Sequence, residues 1–254
     1  MKFSIITPTF NSVAFVDENI RNIQTQTHKD IEHIIIDGGS NEGTVEKLKA
    51  FPHIKWISER DKGQSDAINK GFRMSSGDIL AWQNVDDLYM PDTIKTAADF
   101  FINNPDVDII YGDYQLINFD GSWRCTVYPI PWNKWLFAHG RFVPLQPTLF
   151  WRRRVYEHVG ELDLNLHYCM DVDFLARASK KFSFVKIPKV LGKFRIHNKS
   201  KTQNPENKKN VECEYFEVLS HHFKYNLLDR LIFILFQKRK KYASFIKRRY
   251  LREK

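Results

Sequence analysis

Five short stretches within the first 112 residues are apolar almost without interruption: FSIIT (3–7), EHIIID (32–37), IKWIS (54–58), DILAWQ (78–83) and VDIIYG (107–112). They do not alternate apolar with polar, which is the pattern of strands covered on both faces. Between them, FVDENIRNIQTQ (15–26), TVEKLKAF (44–51), SDAINKGFRMS (65–75) and PDTIKTAADFFINN (91–104) space apolar residues three and four apart, which predicts helices. Repeated strand–helix winding predicts an α/β fold with a mostly parallel, Rossmann-like central sheet flanked by helices. Ligands of such sheets bind beyond the carboxyl ends of the strands. Four of these ends carry polar clusters: TPTFN (7–11), DGGSNEGT (37–44), SERDKGQ (58–64) and QNVDD (83–87). One such cluster is an ordinary loop, but four along one rim predict a site.

The pattern changes after residue 113. YQLINFDGSWRCTVY (114–128) predicts a hairpin about Asp120-Gly121. WNKWLFAHG, RRRVYEHVG and MDVDFLARASKK predict short helices, and FSFVKIP and VLGKFRIH predict two more strands. The polar stretch NKSKTQNPENKKN (198–210) reads as a mobile linker, after which helical spacing resumes. No internal repeat is visible. The expected division is a domain over 1–200 followed by a linker and basic amphipathic helices over 201–254.

Charge sharpens that division. The chain holds 39 Lys and Arg against 30 Asp and Glu, a net +9. Residues 225–254 hold ten of the basic and two of the acidic side chains, which leaves 29 against 28 over the first 224. A nucleic-acid-binding protein spreads its basic residues over a face, so their confinement to one terminal stretch argues against that class. LLDRLIFILF (227–236) is shorter than the roughly 20 apolar residues that span a bilayer, yet it is apolar over a broad face for a surface helix. QKRKKYASFIKRRYLREK (237–254) follows, with Tyr242, Phe245, Ile246 and Tyr250 at helical spacing among basic residues. That pattern suits a helix lying in an anionic headgroup layer, with a solvated helix carrying a packing stripe as the alternative. Cys125, Cys169 and Cys213 are odd in number and far apart, which argues against a disulfide framework or zinc knuckle and fits a reducing cytosol. The opening MKFSIITPTF runs straight into a strand, with no secretory leader legible.

The rim clusters hold what a nucleotide requires. Asp37, followed by Gly38 and Gly39, offers an acceptor beside backbone that a flat ring approaches closely. Asp61 and Lys62 supply a second polar pair. Asp86 and Asp87 repel one another and are costly to desolvate. They are either wet loop residues or partners of a hard cation such as Mg²⁺ or Mn²⁺ that keeps positions open for phosphate oxygens. The chain has no Walker loop and no complete dinucleotide fingerprint, which argues against ATP hydrolysis and NAD chemistry.

In order and spacing, SIITPTFN, IIIDGGSNEGT, SERDKGQSDAINKG, WQNVDD, LQPTLFWRRRVYEHVGELD, MDVDFLAR and FRIHNKSKT resemble glycosyltransferase family 2, the inverting, nucleotide-sugar-dependent enzymes of GT-A fold. The resemblance runs roughly from Lys2 to Ser200 and is strongest to the bacterial branch that builds capsule and the O-antigen of lipopolysaccharide. It implies a nucleotide-binding part over 1–113 and an acceptor and catalytic part over 114–200. It implies that Pro8, Thr9 and Asn11 line the nucleotide pocket, that Asp37 hydrogen-bonds the base (uracil of a UDP-sugar), and that Asp61 and Lys62 lie beside base and ribose. NVDD matches the metal-binding motif, with Asp86 the leading ligand, Asp87 next and His197 completing the site for Mn²⁺ or Mg²⁺. The family often has Asp where Asn84 stands; an amide still serves a ribose but brings one negative charge fewer. Asp171 matches the catalytic base, although a carboxylate in the first turn of a helix is also favoured by the helix dipole alone. Asp173 points to another helix face and is expected to be structural. Gln146 is expected to line the donor-sugar or acceptor pocket, and Trp132, Trp135, Trp151 and Tyr168 offer either sugar-stacking surfaces or core.

The implied activity is metal-dependent, inverting hexosyl transfer from a UDP-sugar to a glycan or lipid-linked acceptor. The implied location is the inner face of the cytoplasmic membrane, with anionic lipid as partner of the tail and no nucleic acid. A sugar nucleotidyltransferase would need a basic pocket for a triphosphate, which the near-neutral first 224 residues do not offer. An inactive nucleotide-binding scaffold has Asp86, Asp171 and His197 against it.

Overall fold

The structure, a computed structural model, describes residues 1–197, 200–201 and 204–235. The basic segment with Tyr242, Phe245, Ile246 and Tyr250 lies outside the described residues. Nine strands form one sheet: β1 (Phe3–Thr9), β2 (Ile31–Asp37), β3 (Lys55–Ser58), β4 (Ile79–Trp82), β5 (Leu88–Tyr89), β6 (Ile109–Ile117), β7 (Trp123–Val127), β8 (Phe150–Arg152) and β9 (Phe184–Arg195). Their order is β3-β2-β1-β4-β8-β6-β9-β5, with β7 paired to β6. Among the described residues the helices α1 (Val16–Gln24), α2 (Thr44–Lys49), α3 (Gln64–Met74), α4 (Thr93–Asn103), α5 (Lys134–Ala138), α6 (Arg153–Val159), α7 (Met170–Ala178) and α8 (Lys208–Phe223) accompany them. Residues 227–235 are helical as well.

The strand directions decide where a site can form. β1 runs parallel to β2 and β4, β2 to β3, and β6 to β9. β8 is antiparallel to both β4 and β6, so β6 and β9 point the same way as β1 to β4. Six strands therefore end at one rim. FSFVKIP and VLGKFRIH, expected as two strands, are one: the β6 register passes from Gly112↔Ile187 to Asp113↔Val190, so Pro188 and Lys189 are bulged out of the ladder. A bulge is where a strand accommodates a proline, which has no N–H to donate.

Both faces of the sheet are covered. Phe3 and Ile5 of β1 pack with Ala97 and Phe101 of α4, whereas Ile6 packs on the opposite face with Phe72 of α3 and Phe174 and Leu175 of α7. Gly71 lets α3 approach β1, because a Cβ there would overlap the side chain of Ile6. Trp151 is buried against Phe72, Trp82 and Phe174, so it belongs to the core and not to a sugar platform. Val218 and Leu219 of α8, with Tyr225 and Phe233, join the same cluster, so the core continues past residue 200. α8 begins at Lys208, inside the polar stretch expected to be a linker.

Candidate active site

The loops after β1 and β2 are locked to one another. Asp37, the last residue of β2, is fully buried. Its Oδ2 accepts from the amides of Gly39 (3.1 Å) and Ser40 (2.9 Å) and from the Ser58 hydroxyl (2.6 Å), and its Oδ1 from the Ser40 hydroxyl. Four donors match the acceptor capacity of a carboxylate, so in this arrangement Asp37 shapes the 38–40 turn and ties it to β3. Asn11, at φ 49°, donates its amide N–H to Ser40 Oγ (2.7 Å) and accepts from Asn41 N through Oδ1 (3.2 Å). Pro8 is buried in β1, and Thr9 Oγ1 is buried without a hydrogen-bond partner. Asp61 lies across Gly38, where a Cβ would come 2.6 Å from Asp61 Oδ2, and its Oδ1 accepts from Gly63 N (2.8 Å). Lys62 is exposed, and its amide donates to Asp66 (3.0 Å).

The adjacent acids after β4 have unequal surroundings. Asp87 is 1% exposed; Oδ1 accepts from the Arg195 amide (3.0 Å) and Oδ2 from Asn84 Nδ2 (3.3 Å). Burial and the neighbouring Asp86 charge push its carboxyl well above the usual carboxylate range. Asp86 is half-buried, with Oδ2 2.8 Å from His197 Nε2. The expected metal set is thus divided: Asp86 and His197 come together, and Asp87 turns inward as a tie between loop and β9. Among the described residues no group of three or more His, Cys, Asp or Glu is disposed around a cation. A carboxylate oxygen and an imidazole nitrogen in contact do fit two positions of a divalent ion whose other ligands are phosphate and water. Asn84 is held on both sides, its Oδ1 accepting from Gln64 Nε2 (2.9 Å) while its amide donates to Asp87. An Asp at 84 would lose the donor that Asn84 Nδ2 offers to Asp87.

Arg195, which the sequence pattern did not single out, joins these pieces. It is 2% exposed, and its Nε donates to the Asp86 carbonyl (2.9 Å), Nη1 to the Phe119 carbonyl (2.7 Å) and Nη2 to Glu18 Oε2 (2.6 Å). One side chain ties the acidic loop, the β6–β7 turn and α1.

Asp171 occupies the first turn of α7, half-buried, with Oδ1 accepting from Val172 N (2.8 Å). Burial, with a smaller contribution from the Glu214 charge, pushes its carboxyl up to about 6. Asp173 is different: although burial opposes it, hydrogen bonds from His222 (2.7 Å) and Arg177 (2.6 Å) hold it below the usual range. It is a structural tie, as expected from its helix face. The approach to α7 is held by α3, where Asn69 donates to the Leu162 carbonyl and accepts from the Leu162 amide (2.9 Å each). It is also held by Glu214, which accepts three amides between His167 and Cys169. Gln146 Nε2 donates to the Trp82 carbonyl at the end of β4, while its Oε1 is buried without a partner. Gln146 therefore bridges the short 3₁₀ turn Gln146–Thr148 to the strand that leads into the acidic loop.

Residues 4–156 match the family described as Glycosyl transferase family 2. An uncharacterized glycosyltransferase of Mycobacterium tuberculosis is 29% identical over 195 residues, covering 75% of this chain and 74% of its own length. A PGL/p-HBAD biosynthesis glycosyltransferase of Mycobacterium bovis is 30% identical over 181 residues, covering 69% and 68%. Among solved structures, S. aureus TarS 1-349 in complex with UDP superposes with a TM-score of 0.68 at 17% identity, covering 94% of this chain and 71% of that one. Of another TarS structure this chain spans 45%. The mannosyltransferase PcManGT from Pyrobaculum calidifontis, in complex with GDP-Man and Mn²⁺, superposes with a TM-score of 0.64 at 15% identity, covering 96% and 75%. These likenesses establish the GT-A fold.

Proposed function

The chain belongs to glycosyl transferase family 2, and from that membership we propose that it moves a hexosyl group, with inversion, from a UDP-sugar to a glycan or lipid-linked acceptor in bacterial surface-polysaccharide assembly. The observation that carries this reading is the pairing of Asp86 with His197, two residues 111 apart in sequence, at the rim where six strands end. Asp86 and His197 would hold Mn²⁺ or Mg²⁺, which as a Lewis acid neutralises the departing diphosphate. The rim residues Pro8, Thr9, Asn11, Asp37, Asp61, Lys62 and Asn84 frame the nucleotide, and Gln146 frames the sugar. Asp171 takes the proton of the acceptor hydroxyl. As that oxygen bonds to the anomeric carbon, the bond from carbon to the diphosphate oxygen breaks and its electron pair leaves with UDP. A carboxyl near 6 is largely ionised at neutral pH and remains a better proton acceptor than an ordinary aspartate.

The reading extends to location. Leu227, Leu228, Leu231, Ile234 and Leu235 are each at least 47% exposed on the helical stretch 227–235, whereas Phe233 on the same stretch is buried. Among the described residues no helix is long and apolar enough to cross a membrane. An apolar face continued in sequence by the basic run supports docking on the anionic cytoplasmic face of the membrane.

Transfer from UDP-sugars with and without chelator tests the assignment. EDTA is expected to abolish transfer and Mn²⁺ or Mg²⁺ to restore it, while Asp86→Ala loses both activity and metal-dependent UDP binding. Full activity in EDTA would exclude the metal role, and retained anomeric configuration in the product, read by NMR, would exclude direct displacement.

A further inference from the structure

Glu214 lies on α8, beyond the segment expected to link domain and tail, and the transfer step described above does not use it. Its carboxylate gathers three successive backbone amides: Oε2 accepts from His167 N at 3.1 Å, and Oε1 from Tyr168 N and Cys169 N at 2.7 Å each. Those amides form the turn that enters α7, and Asp171 follows Cys169 by two positions. Donors from consecutive residues converge on one side chain 45 to 47 positions away, so the path of the turn is imposed by α8 and not by local sequence. α8 is itself fixed, with Val218 and Leu219 in the core and His222 bonded to Asp173 at 2.7 Å. Two contacts from α8 thus bracket the first turn of α7, one on each side of Asp171. The charges around Asp171 are few. Burial is the main influence on its carboxyl, and the Glu214 charge acts in the same direction. Tyr215 of α8 and Cys169 of the turn also face Asp171, and both are pushed upward, chiefly by burial. Lys201 interacts electrostatically with Glu214 and with Asp61 of the nucleotide rim.

We propose that Glu214 is the positioning residue of the base: it fixes the start of α7 through the 167–169 amides and places one negative charge near the proton-accepting carboxylate. The role rests on Asp171 being the base, but the hold on Asp171 is measurable without any reaction. Glu214→Gln preserves shape and one acceptor oxygen and removes the charge, and so decides the question even where Glu214→Ala folds poorly. In full-length protein labelled with carboxyl-¹³C aspartate, the Asp171 signal is assigned by its loss in Asp171→Asn and titrated by NMR. Glu214→Gln is expected to lower its midpoint by about half a pH unit or more, and to speed hydrogen exchange at the amides of 167–169. In turnover of UDP-sugars the acid limb of kcat should move the same way, with kcat at neutral pH down by about two- to threefold for a half-unit shift as the base weakens. An unmoved midpoint and unmoved acid limb in folded Glu214→Gln would overturn the proposal and leave Glu214 a tie like Asp173. A midpoint that moves in a protein turning over no nucleotide-sugar would sustain the hold on Asp171 and refute the assigned reaction instead.

Discussion

A carboxylate whose proton affinity is raised by its surroundings is a cost to the fold at neutral pH. Asp171 is raised from 3.8 to about 6, so the stability it contributes when protonated is present below about pH 4 and lost as pH rises through 6. Asp171→Asn is nearly isosteric and is expected to retain UDP binding while lowering turnover at least about a hundredfold. It should also be more stable than the wild type at pH 8 by on the order of 1–2 kcal/mol, a gap that closes as pH falls towards 4. Urea denaturation at the two pH values, beside single-turnover assays, checks both halves, and equal stability at pH 8 would mean that Asp171 is not desolvated. Asp37, Asp61, Asp86, Asp171 and His197 are legible in sequence because reactive residue types stand at strand ends or a helix start inside recognisable motifs. The resemblance ranks Asp86 ahead of Asp87, and the folded turn supplies the physical difference, since one side chain pairs with His197 and the other accepts from the Arg195 amide. Arg195 and Glu214 are illegible for a related reason: what defines them is partners 45 to 177 positions away.

Elements show the same dependence on length and context. β1 to β4 and the first half of β6 are apolar almost without interruption and stand out, whereas β5 and β8 have two and three residues and leave no pattern to read. β9 is disguised by the proline in its bulge, and α8 by its polar first turn. α3 matters most for the site, because Gln64 holds Asn84 and Asn69 holds Leu162. Its approach to β1 depends on Gly71. Gly71→Ala offers about 1 kcal/mol of helix propensity but overpacks against Ile6, which is fully buried and has no free direction in which to move. Overpacking costs typically about 1–3 kcal/mol and is expected to win. The variant should therefore be less stable by about 1–2 kcal/mol and show a raised KM for the donor as α3 is pushed outward. A denaturant melt and donor titration measure both, and a stabilised variant would show that helix and strand are not in close contact.

At the scale of the whole molecule, two buried groups, His33 and Glu32, contribute to the loss of stability in acid. Burial and then the nearby His53 hold His33 at about 3, so its stability contribution is complete above pH 6.5 and drains away as pH falls towards 3. Burial works against Glu32, but hydrogen bonds from Lys55, Ser76 and Ser4 hold it at about 2, so its contribution is complete above 4.5 and is lost as pH falls towards 2. Urea midpoints should decline from pH 6.5 downward. The comparison is cleanest in the Asp171→Asn background, since Asp171 acts in the opposite sense over part of that range. His33→Gln should flatten the decline between 6.5 and 4.5, and an unchanged slope would remove His33 as its cause. The proposed membrane docking is likewise tested on the whole chain. Because Phe233 packs in the core, a truncation that leaves the fold intact ends after residue 235, not at Tyr225. Anionic liposomes should float the full chain, and both that truncation and the triple change Leu227→Ser, Leu231→Ser, Leu235→Ser should float less. Equal recovery of all three would dismiss the C-terminal region as anchor.

The distance along the chain between Asp86 and His197 has a consequence for synthesis. A polypeptide emerging from its amino end exposes every loop of the nucleotide rim, both acids included, well before β9 exists. Until residues 195 to 197 arrive, Asp86 lacks its imidazole and Asp87 the Arg195 amide that steadies it. Both pairs therefore require β9 in its place between β6 and β5. On the function proposed here, a chain abandoned before that point would carry the loops of the nucleotide rim without the histidine that completes the metal site, and so would be unreactive.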